Sequence, residues 1–113
     1  MSELTIAERV AAGVAWLDEN KPGWDSTVEL RQLDLYSAED CVLGQTFGDY
    51  WKSALFADLD FRDTDDDELH ELVRQAHDRA GRLGFYVPLS DSQDSVLAEW
   101  IRVITARRES SNG

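Results

Sequence analysis

Hydrophobic residues near the start of the chain recur at intervals of four, four and three: Ile6, Val10, Val14 and Leu17. That spacing places them on one side of a helix, with Arg9, Asp18 and Glu19 outside, and predicts an amphipathic helix over 6–19. Thr5, followed three residues later by Glu8, is a capping-box pair that fixes its start. Asn20-Lys21-Pro22-Gly23 fixes its end, because Pro22 cannot donate to the helical ladder and Gly23 tolerates positive φ. Trp24 is then expected to fold back onto the core.

Between 25 and 36 the pattern loses its period. Val28, Leu30, Leu33 and Leu35 fit neither strict alternation nor a long helical face, so an irregular connection with one short helical turn is expected. A small hairpin over 24–36 is the alternative. Ser37 reads as the cap of a second helix, with Glu39 and Asp40 near the positive end of its dipole and Cys41, Val42, Gln45, Tyr50 and Trp51 distributed along it. Gly44 and Gly48 would leave one face bare for a close neighbour, at about 1 kcal/mol each in helix propensity.

The third helix carries the clearest signals. Thr64 and Asp67 resemble a capping box, and Asp65, Asp66, Asp67 and Glu68 crowd the turn where the dipole favours acids. Leu69, Leu72, Val73, Ala76, Ala80 and Leu83 form the stripe, Arg79 and Arg82 sit near the other end, and Gly84 is placed as a left-handed cap, which predicts a helix over 65–83. A last helix is expected after Ser90 or Ser92, with Val96, Leu97, Trp100, Ile101 and Ile104 facing the core and an end near Arg107. The predicted fold is all-α, a compact bundle of about four helices forming one domain over 1–108, with a polar tail at 109–113 expected to be disordered. The hairpin alternative would make it α+β.

Composition narrows the class further. The 113 residues carry a net charge of -12, four Trp and a single Cys. Trp16, Trp24, Trp51 and Trp100 are expected to share one core, and a chain of this length needs no metal or disulfide to bury it. Cys41 alone permits neither an intrachain disulfide nor a second thiol for zinc, in keeping with a reducing cytoplasm. The sequence lacks a long apolar run and a basic, apolar signal-peptide start, so no membrane span or export is expected. The negative charge opposes binding of nucleic acid or anionic lipid by charge neutralisation.

Few residues offer chemistry. Asp63, Asp65 and Asp67 match the first ligand positions of a calcium loop, but Glu68 stands where that loop needs Gly and Arg74 where it needs a bidentate Glu, so no metal or other cofactor is expected. Cys41 is the sole candidate nucleophile, with His70 or His77 as its base, and such a couple would make a small hydrolase or transferase. Against it, Cys41 is flanked by Val42 and Leu43 and is expected to be buried and unreactive. Phosphate loops, nucleophile elbows and dinucleotide fingerprints are absent from the sequence. Tyr36, Tyr50 and Trp51 suit a small ligand or stacked bases, although the charge is wrong for nucleic acid. Arg102, Arg107 and Arg108 are accounted for by the dipole of the last helix.

The strongest asymmetry is the segment 58–71. Asp58, Asp60, Asp63, Asp65, Asp66, Asp67, Glu68 and Glu71 stand there against one base, Arg62. An acidic surface of this kind fits a basic groove on a partner protein and speeds its association, while Asp49, Tyr50 and Trp51 supply an aromatic anchor. The plainer reading is a solubilising face with core aromatics.

The motifs GW at 23–24, LDL at 33–35, CVLGQTFGDY at 41–50, GF at 84–85 and AEWIRVITARR at 98–108 give the chain a family likeness. It resembles small acidic proteins, of no known activity, that recur in actinobacterial phages and prophages. The excess of nine Arg over two Lys agrees with a GC-rich genome. The resemblance implies a setting, the cytoplasm of an infected host cell, and brings no site residues. Together these readings lead to a non-enzymatic phage accessory protein that binds and occludes a basic host protein. The Cys-His enzyme and a toxin-immunity or regulatory subunit are the alternatives.

Overall fold

The capping box at Thr5 forms in full. In the computed structural model, which describes residues 5–59, 61, 64–87 and 93–112, the Thr5 hydroxyl accepts from Glu8 N–H and the Glu8 carboxylate accepts from Thr5 N–H, each at 3.1 Å. Helix α1 (Ile6–Asn20) follows, with Val10 and Leu17 fully buried and Ile6 and Val14 packed at the edge of the core. Gly13 allows another segment to touch this helix, since a methyl group there would stand 2.1 Å from the Leu83 carbonyl oxygen.

Gly23 adopts the predicted positive φ and starts a single turn, α2 (Trp24–Thr27). The buried Trp24 indole donates to Asp18, returning the chain to the end of α1. The segment after it carries a 3-10 turn at Leu30–Gln32 and no strand, so the hairpin alternative does not form. Gln45 pins this irregular stretch by accepting from Glu29 N–H and donating to the Glu29 and Asp40 carbonyls.

The second predicted helix is shorter than its sequence suggested. Ser37 caps only a turn, accepting from the N–H groups of Glu39 and Asp40, and α3 (Val42–Phe47) begins after Cys41, whose sulfur accepts from Gly44 N–H at 3.2 Å. Gly44 does permit close approach: a methyl group there would lie 2.2 Å from the Ala38 carbonyl. Gly48 does not, because its positive φ ends the helix there. Tyr50 and Trp51 therefore stand in a separate 3-10 turn, Tyr50–Lys52, followed by another at Ala54–Phe56.

Helix α4 (Asp66–Arg82) is capped by Asp65, which accepts from Glu68 N–H at 2.8 Å, in place of the expected Thr64. The Thr64 hydroxyl donates instead to the Phe61 carbonyl. Ala76 and Ala80 are fully buried and Gly84 takes the left-handed cap conformation, but Leu69 is 39% exposed and so leaves the predicted stripe. Helix α5 (Gln93–Asn112) buries Val96, Trp100 and Ile104. The expected caps Ser90 and Ser92 lie outside the described residues. The helix continues past the predicted end at Arg107 and carries the expected tail on as helix to Asn112.

A physical reason for that extension lies in clamps between α5 and the segment from Asp18 to Val28. Arg107 pairs with Asp18 and Asp25 and lies over the Trp24 ring, while Arg108 donates to the Asp25 and Val28 carbonyls. These arginines therefore do more than answer the helix dipole. Helices α4 and α5 both pack on α1, and α2 bridges α5 and α3. The fold is all-α, as expected, with three long helices and two short ones among the described residues.

Candidate functional site

The aromatic residues segregate into two groups. Trp24, Phe85 and Trp100 meet in the centre, with Trp16 against Phe85 at its edge. Trp51 does not join them. It contacts Tyr50, Phe56, Phe61 and His77, and 39% of its surface remains open to solvent. The expectation of one core for all four tryptophans fails here because Gly48 and the 3-10 turn after it carry Trp51 to the outside of α4.

This second aromatic group forms one wall of a cavity of about 170 Å³. Its ring wall comprises Tyr50, Trp51, His77 and Tyr86, and the turn from Leu35 to Ala38 lines it together with Cys41. Tyr36, at 68% exposure, stands on the rim. His77 is the centre of the wall: its Nδ1 lies 3.0 Å from the Tyr50 hydroxyl, and its ring stacks on Tyr86 with centroids 4.0 Å apart. With Tyr50 donating, His77 is a neutral ring carrying its proton on Nε2.

Burial sets the charge states in this cavity. It pushes the Tyr50 hydroxyl up from its usual value, so Tyr50 stays protonated. It also holds the His77 imidazole below its ordinary 6.5, favouring the neutral form, in which Nδ1 can accept from the Tyr50 hydroxyl. For the Cys41 thiol, burial dominates and raises its pKa, the backbone N–H groups of Gly44, Leu43 and Cys41 pull the other way, and the Asp49 carboxylate adds to the rise. Cys41 is only 1% exposed and already serves α3 as its cap. Thiol reagents such as iodoacetamide are therefore expected to label the native protein at least about tenfold more slowly than a peptide thiol. Labelling at the peptide's rate in stopped-flow or mass-spectrometric assays would contradict the burial.

The His77 shift has its own consequence. A base held below its unfolded pKa binds fewer protons in the native state, so its contribution to stability is present above about pH 6.5 and is lost as the pH falls through that value towards the folded pKa. Thermal melts between about pH 7.5 and 5 are expected to show a declining midpoint, with a shallower decline for His77→Gln. The carboxylates lowered by their arginine partners, Asp58 and Glu71, titrate below this window.

The predicted acidic site is divided among several jobs. Asp49 accepts from Trp51 N–H at 2.9 Å and so fixes the turn that presents the indole. Asp58 forms a two-pronged pair with Arg79, which also donates to the Leu55 carbonyl and ties this loop to α4. Asp65 is the α4 cap, Glu71 pairs with Arg74 and Gln75, and Asp66, Asp67 and Glu68 are exposed on the first turn of α4. Because Asp65 caps α4 and 66–74 is helical, Asp65, Asp67, Glu68 and Arg74 of the calcium-loop pattern belong to a helix and its cap. Asp60 and Asp63 lie outside the described residues.

Two features connect the acidic turn with the cavity. Phe61, from the acidic loop, meets the Trp51 ring edge-on with centroids 5.6 Å apart. Leu69, Val73 and His77 follow one another at four-residue spacing along α4, so one side of that helix leads from the acids to the ring wall over about 12 Å. The sequence singled out Tyr36, Tyr50, Trp51, Cys41 and His77 for separate reasons, and the fold gathers them. It gave no sign of Tyr86, which reaches His77 only because the Gly84 cap turns the chain back. His70 is exposed on α4 and is not part of the cavity lining.

These features define the class: an all-α domain with a small aromatic cavity next to an acidic helix start. The chain matches no protein-family model, no curated protein and no solved structure. No helix among the described residues is long and apolar enough to cross a membrane.

Proposed function

We propose that this protein is a non-enzymatic binding module that occludes a basic surface of a partner protein, using the acidic start of α4 to attract it and Trp51 to anchor it. The observation that carries this reading is the Trp51 indole, held by rings on several sides yet 39% exposed, at the junction of the aromatic wall and the acidic loop. A rigid, half-open indole loses little conformational freedom on binding, which is the character of an interface hot spot. The likeness to phage proteins makes a host protein the expected partner, met in the host cytoplasm.

Affinity capture from host lysate, with mass spectrometry, provides the partner for a kinetic test. Replacing Asp60, Asp63, Asp66 and Glu71 together by Asn or Gln is expected to slow association and flatten its salt dependence while leaving the helical spectrum nearly unchanged. Solvated acids contribute only tenths of a kcal/mol each to a helix, so folding tolerates the change. Unchanged association rates and salt dependence would eliminate the electrostatic mechanism.

A second reading keeps Cys41 as a nucleophile, because Cys41 and His77 line the same cavity. Its thiol would then need activation that burial opposes. Reactivity that is slow at neutral pH and unaffected by His77→Gln is expected if Cys41 is structural, whereas a His77-dependent thiolate would favour the enzyme. A toxin-immunity or regulatory subunit differs from the leading reading only in the identity of the partner that capture would reveal.

A further inference from the structure

The cavity beside Trp51 has a chemistry more specific than an apolar hole. Its lining offers the rings of Tyr36, Tyr50, Trp51, His77 and Tyr86 and, among the described residues, contains no Lys or Arg. The one group among these able to become a cation, His77, lies 3.0 Å from the Tyr50 hydroxyl, and burial disfavours its charged form. Asp34 accepts from Tyr36 N–H at 3.0 Å, and Asp49 accepts from Trp51 N–H at 2.9 Å, so a carboxylate is tied to the backbone of each of these two lining residues. At about 170 Å³ the space is below that of a pocket for a drug-sized molecule and suits a single side-chain head. Aromatic faces attract cations electrostatically, and a protein of net charge -12 adds a field of the same sign.

We infer that this cavity receives the ammonium head of a lysine side chain from the partner protein, bare or methylated, with the Trp51, Tyr36 and Tyr86 rings around it and Asp34 and Asp49 supplying the countercharge. This rests on the binding reading above and deepens it, turning a general preference for basic surfaces into a socket for one residue. An apolar side chain would fill the same volume but would draw nothing from the protein's negative charge. An anionic group would meet that charge as repulsion.

The test uses a pair of probes that differ only in charge, choline and its neutral isostere 3,3-dimethylbutan-1-ol, followed by NMR on the full chain at constant ionic strength. Choline is expected to shift the Trp51 indole and Tyr86 ring signals saturably, and the isostere to bind at least about tenfold more weakly. A short Gly-flanked trimethyllysine peptide is expected to bind at least as tightly as choline. Tyr86→Leu is expected to weaken choline by about tenfold with an unchanged helical spectrum, and Tyr36→Leu, on the exposed rim, repeats the test without touching the packed wall. Equal binding of the two isosteres, or no saturable shift with either, would overturn the cation assignment. Choline binding clearly tighter than the peptide would instead point to a free small cation and overturn the side-chain assignment. If the probes fail while the acid-neutralised protein still associates slowly with its captured partner, the binding module stands and only the socket falls.

Discussion

Replacing Trp100 by Ala is expected to remove about 3 to 5 kcal/mol of stability, the range for deleting a buried aromatic side chain. Trp100 is fully buried, stacks on Phe85 at 5.4 Å and meets Trp24 edge-on at 5.9 Å. Its indole N–H donates at 2.7 Å to the Gly84 carbonyl, and the ring also lies against Gly13, where a methyl group would come within 3.1 Å of it. The substitution therefore opens a cavity where α1, α5 and the end of α4 converge and leaves a buried carbonyl without its donor, a further penalty of about 1 to 3 kcal/mol if no water enters. Set against a total stability of roughly 5 to 15 kcal/mol for a domain, this brings the protein close to unfolding at ambient temperature. Chemical denaturation monitored by circular dichroism measures it, and a midpoint within experimental error of the parent would refute the packing described for this corner.

Trp51→Ala is expected to behave in the opposite way. Because 39% of the side chain's residue surface is already exposed, its loss is expected to cost under about 2 kcal/mol in stability, less than full burial of a large apolar side chain provides. Its effect on partner binding is expected to be on the order of 2 kcal/mol, about thirtyfold, and to appear in the dissociation rate. The two measurements separate the roles cleanly. A stability loss of about 3 kcal/mol or more with unchanged dissociation would make Trp51 a core residue and remove the anchor from the proposed interface. Lysine-derived probes report on the same indole from another side, since the socket inferred above places the ring against a cation.

The elements that were legible in the sequence are those whose signals lie within a few residues of one another. Thr5 and Glu8 announced α1, Gly23 and Gly84 announced left-handed turns, and Ala76 with Ala80 marked the buried side of α4, because caps and helical faces are decided by neighbours three or four positions apart. Misplaced boundaries have the same origin. Cys41, with a sulfur acceptor that few cap rules include, took the capping position assigned to Ser37, and Asp65 outcompeted the adjacent Thr64. The acidic and aromatic residues of the candidate site were also visible as residues, but their partition was not. Asp58 turned out to hold Arg79, while Asp49 and Asp65 became caps.

What only the tertiary structure decided is the cavity. Its lining comes from the turn at 35–38, from Cys41, from the 3-10 turn that holds Tyr50 and Trp51, from His77 on α4 and from Tyr86 beyond it. Periodicity does not link residues so far apart, and their meeting depends on the way Gly48 and Gly84 redirect the backbone. The sequence by itself determined an acidic, mainly helical chain, the buried sides of its long helices and the caps at Thr5 and Gly84, because hydrogen bonding and side-chain spacing act locally. The tertiary structure decided which aromatics became core and which became a surface, because burial is a property of packed neighbours and is shared among segments that the chain keeps apart.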